Sequence, residues 1–148
     1  MNSLSFTLNP TPVVTETLSS FTPAVSLHKL VDQLMLSFIP LAVNKKSFII
    51  NDINEAIELH ADEQVLAFII GNLLNTAISG SDHVCIRLEA VKQPKGIQIR
   101  VRNNGANFYS TVAHGFSEVL AAARSIGASI NIYNQKHEGL VITFTMAA

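Results

Sequence analysis

The clearest helical pattern in the chain is the stretch Asp62-Glu-Gln-Val-Leu-Ala-Phe-Ile-Ile-Gly-Asn-Leu-Leu-Asn-Thr-Ala-Ile-Ser79. Asp62 is a suitable N-cap because its carboxylate can accept hydrogen bonds from the first helical amides. Apolar residues then recur at spacings of three and four and form one wide face: Val65, Leu66, Ile69, Ile70, Leu73, Leu74 and Ala77. We therefore expect an amphipathic helix from Asp62 to Gly80.

Two further helices and several strands are predicted around this helix. Ser26 is a plausible N-cap for a helix over 26–44, which Pro40 should kink or shorten. Phe116 begins a third helical stripe, which Gly127 ends as a left-handed C-cap. Alternating apolar and polar residues predict strands over 47–51, 56–60, 84–90, 97–102, 130–133 and 140–146.

The predicted order of elements is (β)αββαββαββ. Strand pairs between helices are typical of an α+β fold, here a two-layer α/β sandwich with a mixed or antiparallel sheet covered on one face by three helices. Residues 1–23 contain Pro10, Pro12 and Pro23 and a weak strand pattern over 4–8. They are expected to be a lead-in to a single domain over 24–148.

The composition narrows the classes of partner. The chain has 148 residues, 48% of them hydrophobic and 14% charged, with a net charge of −1. No basic field is available for nucleic acid, and no apolar stretch is long enough to span a membrane. The single Cys85 cannot form an internal disulfide, so a cytoplasmic location is expected. The high apolar content leaves a homodimer open.

The order of elements, taken with residues 62–79, resembles the ATP-binding domain of sensor histidine kinases, a group within the Bergerat-fold (GHKL) ATPases. The resemblance covers roughly residues 24–146 and implies a histidine kinase-like ATPase fold and a role in bacterial two-component signalling. The family's helix motif is Asn-Leu-Leu, a variable residue and Asn-Ala, and this chain has Asn72-Leu73-Leu74-Asn75-Thr76-Ala77.

The second asparagine of that motif directs its amide oxygen at a magnesium ion that bridges the nucleotide phosphates. In this chain Thr76 takes that position, and only a vestigial magnesium site at Thr76 or Asn72 is expected. Asn75 cannot replace Thr76, because neighbouring residues of a helix point about 100° apart.

The adenine and phosphate motifs implied by the resemblance are also altered. Where the family has Asp-x-Gly-x-Gly, this chain has Asn103, Gly105 and Asn107 at the three marked positions. An amide can accept from the adenine amine, but without a charge-assisted bond. The phosphate-binding Gly-x-Gly-Leu-Gly-Leu corresponds to Thr111-Val112-Ala113-His114-Gly115-Phe116, which keeps one glycine of three.

Two smaller differences lie near the same site. Only Phe108 to Ser110 stand where the family has a long mobile lid, and the family's closing Gly-Thr pair reads Gly139-Leu140. The expected vestigial nucleotide pocket therefore comprises Asn72, Thr76, Asn103, Gly105, Asn107, His114, Gly115 and Leu140.

The sequence thus favours a degenerate, pseudokinase-like domain, for which we expect no catalytic residue, no cofactor and weak or no ATP binding. Such a domain would act as a regulatory module through protein contacts, with a response regulator or a sensor kinase as partner. One alternative is a functional ATP-binding catalytic domain that uses Mg-ATP, with Asn72 or Thr76 for magnesium and Asn103 for adenine. Another is a phosphotransfer adaptor with a reactive histidine, although His28 is better interpreted as a solvated helix-face histidine.

Overall fold

The protein is described by a computed structural model over residues 23–79, 82–104, 116–135 and 139–147. Its helices are α1 (Leu27–Asn44), α2 (Glu63–Ser79) and α3 (Ser117–Ser125). Its strands are β1 (Ala24–Ser26), β2 (Phe48–Asn51), β3 (Glu58–His60), β4 (Cys85–Gln93), β5 (Gly96–Asn103), β6 (Ala128–Gln135) and β7 (Gly139–Ala147). From α1 onward the observed order agrees with the predicted one, whereas β1 was not predicted. The strand expected over 4–8 lies outside the described residues.

Five strands form one sheet in the order β2-β4-β5-β7-β6. β2 runs parallel to β4, and the other neighbouring pairs are antiparallel. The three helices pack on one face of this sheet, so the predicted α+β sandwich with a mixed sheet is confirmed. β1 and β3 form a separate two-stranded antiparallel sheet, in which Val25 is the partner of Leu59.

The core lies between the sheet and the helices. On β5, Ile97, Ile99 and Val101 are buried while the residues between them are half-buried, as the period of two requires. α2 contributes the largest set of buried side chains among the helices: Leu66, Ile69, Ile70, Leu73, Leu74, Ala77 and Ile78. α2 packs against α1, α3 and β5, so it is the central helix. This packing determines where the C-terminal half of α2 contacts the sheet.

The helix termini follow the sequence signals in part. The carboxylate of Asp62 accepts hydrogen bonds from the amides of Gln64 and Val65 at 2.9 and 3.2 Å, which confirms the predicted N-cap. Ser26 stands at the N-cap of α1, but among the described residues its side chain caps no amide. The Leu27 amide instead donates to the carbonyl of Ile57 at 3.2 Å, so a neighbouring segment satisfies this donor.

Of the two effects expected of Pro40, a kink or a shorter helix, the structure excludes the shortening. The helix continues through Pro40 to Asn44. Proline removes the amide that would bond the carbonyl of Leu36 four residues earlier. Both residues lie on the exposed side of α1, where water can satisfy that carbonyl.

Candidate functional site

The centre of the candidate site is Asn103, the last residue of β5. Its side chain is 1% exposed, because it continues the row of core-facing residues that includes Val101. A buried amide needs partners, and the Asn103 Nδ2 donates to the carbonyl of Ala77 on α2 at 2.6 Å. Asn103 thus ties the end of the central strand to the C-terminal part of the central helix.

The helix positions of the site lie beside this tie. Asn72 and Thr76 are four residues apart on α2 and share one face of it, and both are half-buried. Thr76 immediately precedes Ala77, whose carbonyl accepts from Asn103. Asn72, Thr76 and the Ala77 carbonyl that accepts from Asn103 thus all belong to the C-terminal half of α2.

Asn75 lies on a different face from Thr76, as predicted. Its side chain is exposed, and its Oδ1 accepts from the Ser79 hydroxyl at 3.4 Å, a long hydrogen bond. Asn75 therefore does not share the face of α2 that carries Asn72 and Thr76.

Leu140 lies next to the candidate site because its backbone in β7 pairs with that of β5. In the β5–β7 ladder Leu140 is the register partner of Asn103. The remaining positions of the expected pocket, Gly105, Asn107, His114 and Gly115, lie outside the described residues, so their part in the site stays a prediction.

The candidate residues that the structure describes have uncharged side chains. Magnesium takes oxygen ligands, and the available ones are the Thr76 hydroxyl and the Asn72 Oδ1. The Asn72 Nδ2 donates to the carbonyl of Phe68 at 2.7 Å, a bond within its own helix. Asn72, Thr76 and Asn103 carry no charge, so these three residues offer no cation to a phosphate and no carboxylate to a metal ion.

Asn104 is a contributor that the sequence reasoning missed. Its Oδ1 accepts from the Cys85 amide at 2.8 Å, and its own amide donates to the Cys85 carbonyl at 3.3 Å. These bonds join the end of β5 to the start of β4 and so hold the backbone that carries Asn103. The Asn-Asn-Gly sequence predicted only a loop here, because the partner is 19 residues away.

The expectation that His28 is a solvated histidine is wrong. Its side chain is 21% exposed, with Nδ1 at 2.7 Å from the carbonyl of Ile53 and Nε2 at 3.4 Å from the Asp32 carboxylate. A second carboxylate, that of Glu55, lies 3.8 Å from Nε2. The imidazole therefore connects α1 to the loop after β2, a contact between residues 25 apart that no local pattern reveals.

A groove of ≈ 970 Å³ lies at the other end of α2, lined by residues that include Lys29, His60, Gln64 and Ile126. Since a helix rises about 1.5 Å per residue, Gln64 and Thr76 are about 18 Å apart along α2. The groove is therefore separate from the candidate site around Asn103.

Solved structures that superimpose on this chain include histidine kinases. The catalytic domain of histidine kinase ThkA superimposes with a TM-score of 0.68 at 17% identity, over 84% of this chain and 94% of that one. The chain has the fold of a histidine kinase catalytic domain. Acinetobacter baumannii histidine kinase AdeS gives 0.73 at 12% identity, over 99% and 85% of the two chains. The mycobacterial sensor histidine kinase MprB gives 0.69 at 10% identity, over 85% and 97%.

At these identities the likeness concerns the fold alone. No family model and no curated protein matches the sequence. Within the described ranges, no helix is long and apolar enough to cross a membrane. The assignment to the histidine kinase fold therefore rests on the agreement of element order, sheet topology and three-dimensional superposition.

Proposed function

We propose that this chain is a histidine-kinase-type ATPase domain that has lost efficient Mg-ATP binding and acts in bacterial signal transduction through protein contacts. The observation that carries the proposal is the amide of Asn103. At the position where the kinases have an adenine-binding aspartate, the side chain is buried and donates to the Ala77 carbonyl. This position serves the packing of β5 against α2.

The helix side of the site supports the same conclusion. Thr76 stands where the kinases have a magnesium-binding asparagine, and a hydroxyl reaches less far from the helix than an amide oxygen. Asn72 is one turn earlier, and its amide nitrogen is bonded to the Phe68 carbonyl. The described residues thus provide two neutral oxygens for magnesium in place of the family's ligand set.

A response regulator or a sensor kinase is the proposed class of partner. A crystal structure of ThkA in complex with the response regulator TrrA superimposes on this chain with a TM-score of 0.71 at 16% identity. It covers 97% of this chain and 48% of that one. The same fold thus occurs in a kinase that has been captured with a response regulator, which makes a receiver domain the first partner to test.

The proposal is tested by isothermal titration with ATP and ADP, with and without Mg²⁺, together with thermal unfolding. We expect no stoichiometric binding of micromolar affinity. A ligand present at 100 times its dissociation constant would add about 2.7 kcal/mol of stability and raise the melting temperature by several degrees. Micromolar Mg-ATP binding with such a rise would replace the proposal by the functional-kinase alternative.

Thr76→Asn is the informative variant for this titration. It returns the amide oxygen that the magnesium position lacks, so it should increase Mg-ATP affinity over the native chain, with no gain in the absence of Mg²⁺. Asn75→Ala is its matched control, because Asn75 lies on the neighbouring, exposed face of the same helix. An equal response of both variants would show that Thr76 does not occupy the magnesium position.

A further inference from the structure

The face of the sheet that no described helix covers carries most of the arginines of the chain. The chain has four arginines: Arg87, Arg100, Arg102 and Arg124. The first three alternate with buried core residues along β4 and β5, so their side chains point away from the helices. We call these three residues the arginine face. It gathers three of the four guanidinium groups on one surface of a chain whose net charge is −1.

The arginine face lies in the middle of a row of side chains that crosses the sheet. Arg87 on β4 and Arg102 on β5 are direct register partners. On one side the row continues to Ile50 on β2, and on the other it passes Val141 on β7 and ends at Tyr133 on β6. Val141 is buried, and Tyr133 is 38% exposed. Positive charge therefore stands between apolar side chains at the two edges of the sheet.

The charges of this face are not balanced by the strands that carry it. Two like charges directly opposite each other, as Arg87 and Arg102 are, destabilise a strand pair. Arg100 adds a third positive charge, and Glu89 is the only carboxylate on β4 and β5. Asp52, in the loop after β2, accepts from Arg87 at 3.0 Å, so three cations face two anions. An arrangement that breaks a local rule without benefit to the fold is typical of a functional position.

Arg100 and Arg102 keep hydrogen-bond donors available. The Arg100 Nε donates to Gln98 Oε1 at 2.8 Å, and its terminal nitrogens have no partner among the described residues. The Arg102 Nη1 lies 3.2 Å from Glu89 Oε1, but in the part of the chain that the structure describes this oxygen accepts no hydrogen bond. The contact is therefore one of charge alone. The Arg102 side chain is 37% exposed, so a ligand can reach it.

We propose that the arginine face is the docking surface for an acidic segment of a partner protein, whose carboxylates bind Arg100 and Arg102. Charge complementarity selects this partner, because a guanidinium group binds a carboxylate through two parallel hydrogen bonds. The row of apolar and charged side chains favours a protein chain over a small anion, since arginine and aromatic residues are enriched in protein interfaces. The surplus of one positive charge is too small for the phosphates of a nucleic acid.

The proposal rests on the proposed function only for the existence of a protein partner, and it names the surface that the partner contacts. The arginine face and α2, which carries Thr76, lie on opposite sides of the sheet. Docking and Mg-ATP binding are therefore measured independently. Mg-ATP binding would overturn the loss of nucleotide binding and leave the docking surface in place.

The probe is the blocked peptide Leu-Ser-Glu-Ser-Glu-Ser-Leu. When extended, it presents leucine, two glutamates and leucine on one side, over about 20 Å. The row from Ile50 to Tyr133 crosses five strands, or about 19 Å, so the two patterns match. The counterpart with glutamine in place of both glutamates is the control peptide. Nuclear magnetic resonance titration of the full chain follows the Nε–H signals of the four arginines.

We expect the glutamate peptide to bind with a dissociation constant on the order of 1 mM and to shift the signals of Arg100 and Arg102, whereas the glutamine peptide shifts neither. Arg100→Gln with Arg102→Gln should weaken binding at least about tenfold, and circular dichroism with a melting curve verifies that this variant folds. Arg100→Lys with Arg102→Lys keeps both charges and loses the planar fork, so its affinity should be intermediate. Arg124→Gln on α3 is the matched control and should bind like the native chain.

Three results would overturn the proposal. The first is equal binding of the two peptides, or no binding of either at about 10 mM. The second is unchanged binding of the glutamate peptide to the variant that combines Arg100→Gln with Arg102→Gln. The third is a shift of the Arg100 and Arg102 signals by inorganic phosphate at a lower concentration than by the peptide, because the face would then be a phosphate site.

Discussion

Replacing Asn103 by aspartate should destabilise the protein by about 2–3 kcal/mol at neutral pH, because the buried Ala77 carbonyl loses its donor and faces a charge instead. The native amide donates to the Ala77 carbonyl at 2.6 Å from a position that is 1% exposed. A carboxylate there would bring a charged acceptor against another acceptor. It would lose the hydrogen bond, worth about 1 kcal/mol, and add the cost of burying the charge.

The loss of stability in Asn103→Asp should depend on pH, in a direction set by the contact with the Ala77 carbonyl. Burial and the facing carbonyl disfavour the charged form, so the pKa of the introduced carboxyl should lie above its ordinary value of about 3.9. The folded variant then holds a proton that the unfolded chain has released, so its stability relative to the native chain falls as pH rises above about 4. Near pH 4 the protonated carboxyl can donate to the carbonyl, and the loss should shrink to about 1 kcal/mol.

Urea unfolding followed by circular dichroism measures this difference, with native and variant chains compared at pH 4 and at pH 7. Asn104→Asp is the control, because Asn104 is exposed and its Oδ1 accepts from the Cys85 amide, a bond that a carboxylate oxygen keeps. It should change stability by less than about 0.5 kcal/mol. Equal effects of the two adjacent substitutions, or a loss at position 103 that does not vary with pH, would refute the assignment of the Asn103 amide as the donor.

Three further substitutions test the fold. His28→Ala should cost about 1 kcal/mol in urea unfolding and respond little to salt, because the bond to the Ile53 carbonyl contributes more than the contacts with the exposed carboxylates of Asp32 and Glu55. Gly127→Ala should cost about 1 kcal/mol of stability, and Gly127→Asn less, because Gly127 has φ +72 and a Cβ there would meet no atom. Pro40→Ala should raise the melting temperature of dilute protein by restoring an amide to the Leu36 carbonyl, and an unchanged or lower value would contradict this account.

Elements whose pattern is local could be predicted from the sequence. The apolar face of α2 and the carboxylate of Asp62 located that helix within one residue of its observed start and end. β1 was missed because its three residues show no alternation, and the strand exists through its pairing with β3. The exposure of Leu36, Ile39 and Val43 was equally hidden, since residues 34–44 are apolar on nearly every side and periodicity alone cannot tell the outer face of α1 from the core.

The candidate site shows the same division. The helix and strand patterns located Asn72 and Thr76 on α2 and Asn103 on β5, and their joint part in a nucleotide site stays a prediction. The sequence did not reveal that the Asn103 amide bonds the Ala77 carbonyl, a contact between residues 26 apart, or that Asn104 anchors the strand end. Residue type predicts what a side chain can bind, and only the packing of β5 on α2 decides what it does bind.

The bond of Asn103 also restricts how ATP binding could be recovered. The substitutions that would restore the family's residues are Asn103→Asp and Thr76→Asn, but they differ in how much stability the protein loses. Thr76 is half-buried on a helix surface and can be replaced with little loss, whereas the aspartate leaves the Ala77 carbonyl facing a charge. We therefore expect Thr76→Asn to be tolerated alone and Asn103→Asp to lower the melting temperature by several degrees, even in the presence of Mg-ATP. The variant that combines Thr76→Asn with Asn103→Asp gives the opposing outcome. If it melts above the native chain when Mg-ATP is added, adenine binding compensates for the lost hydrogen bond to Ala77, and position 103 is still a nucleotide position.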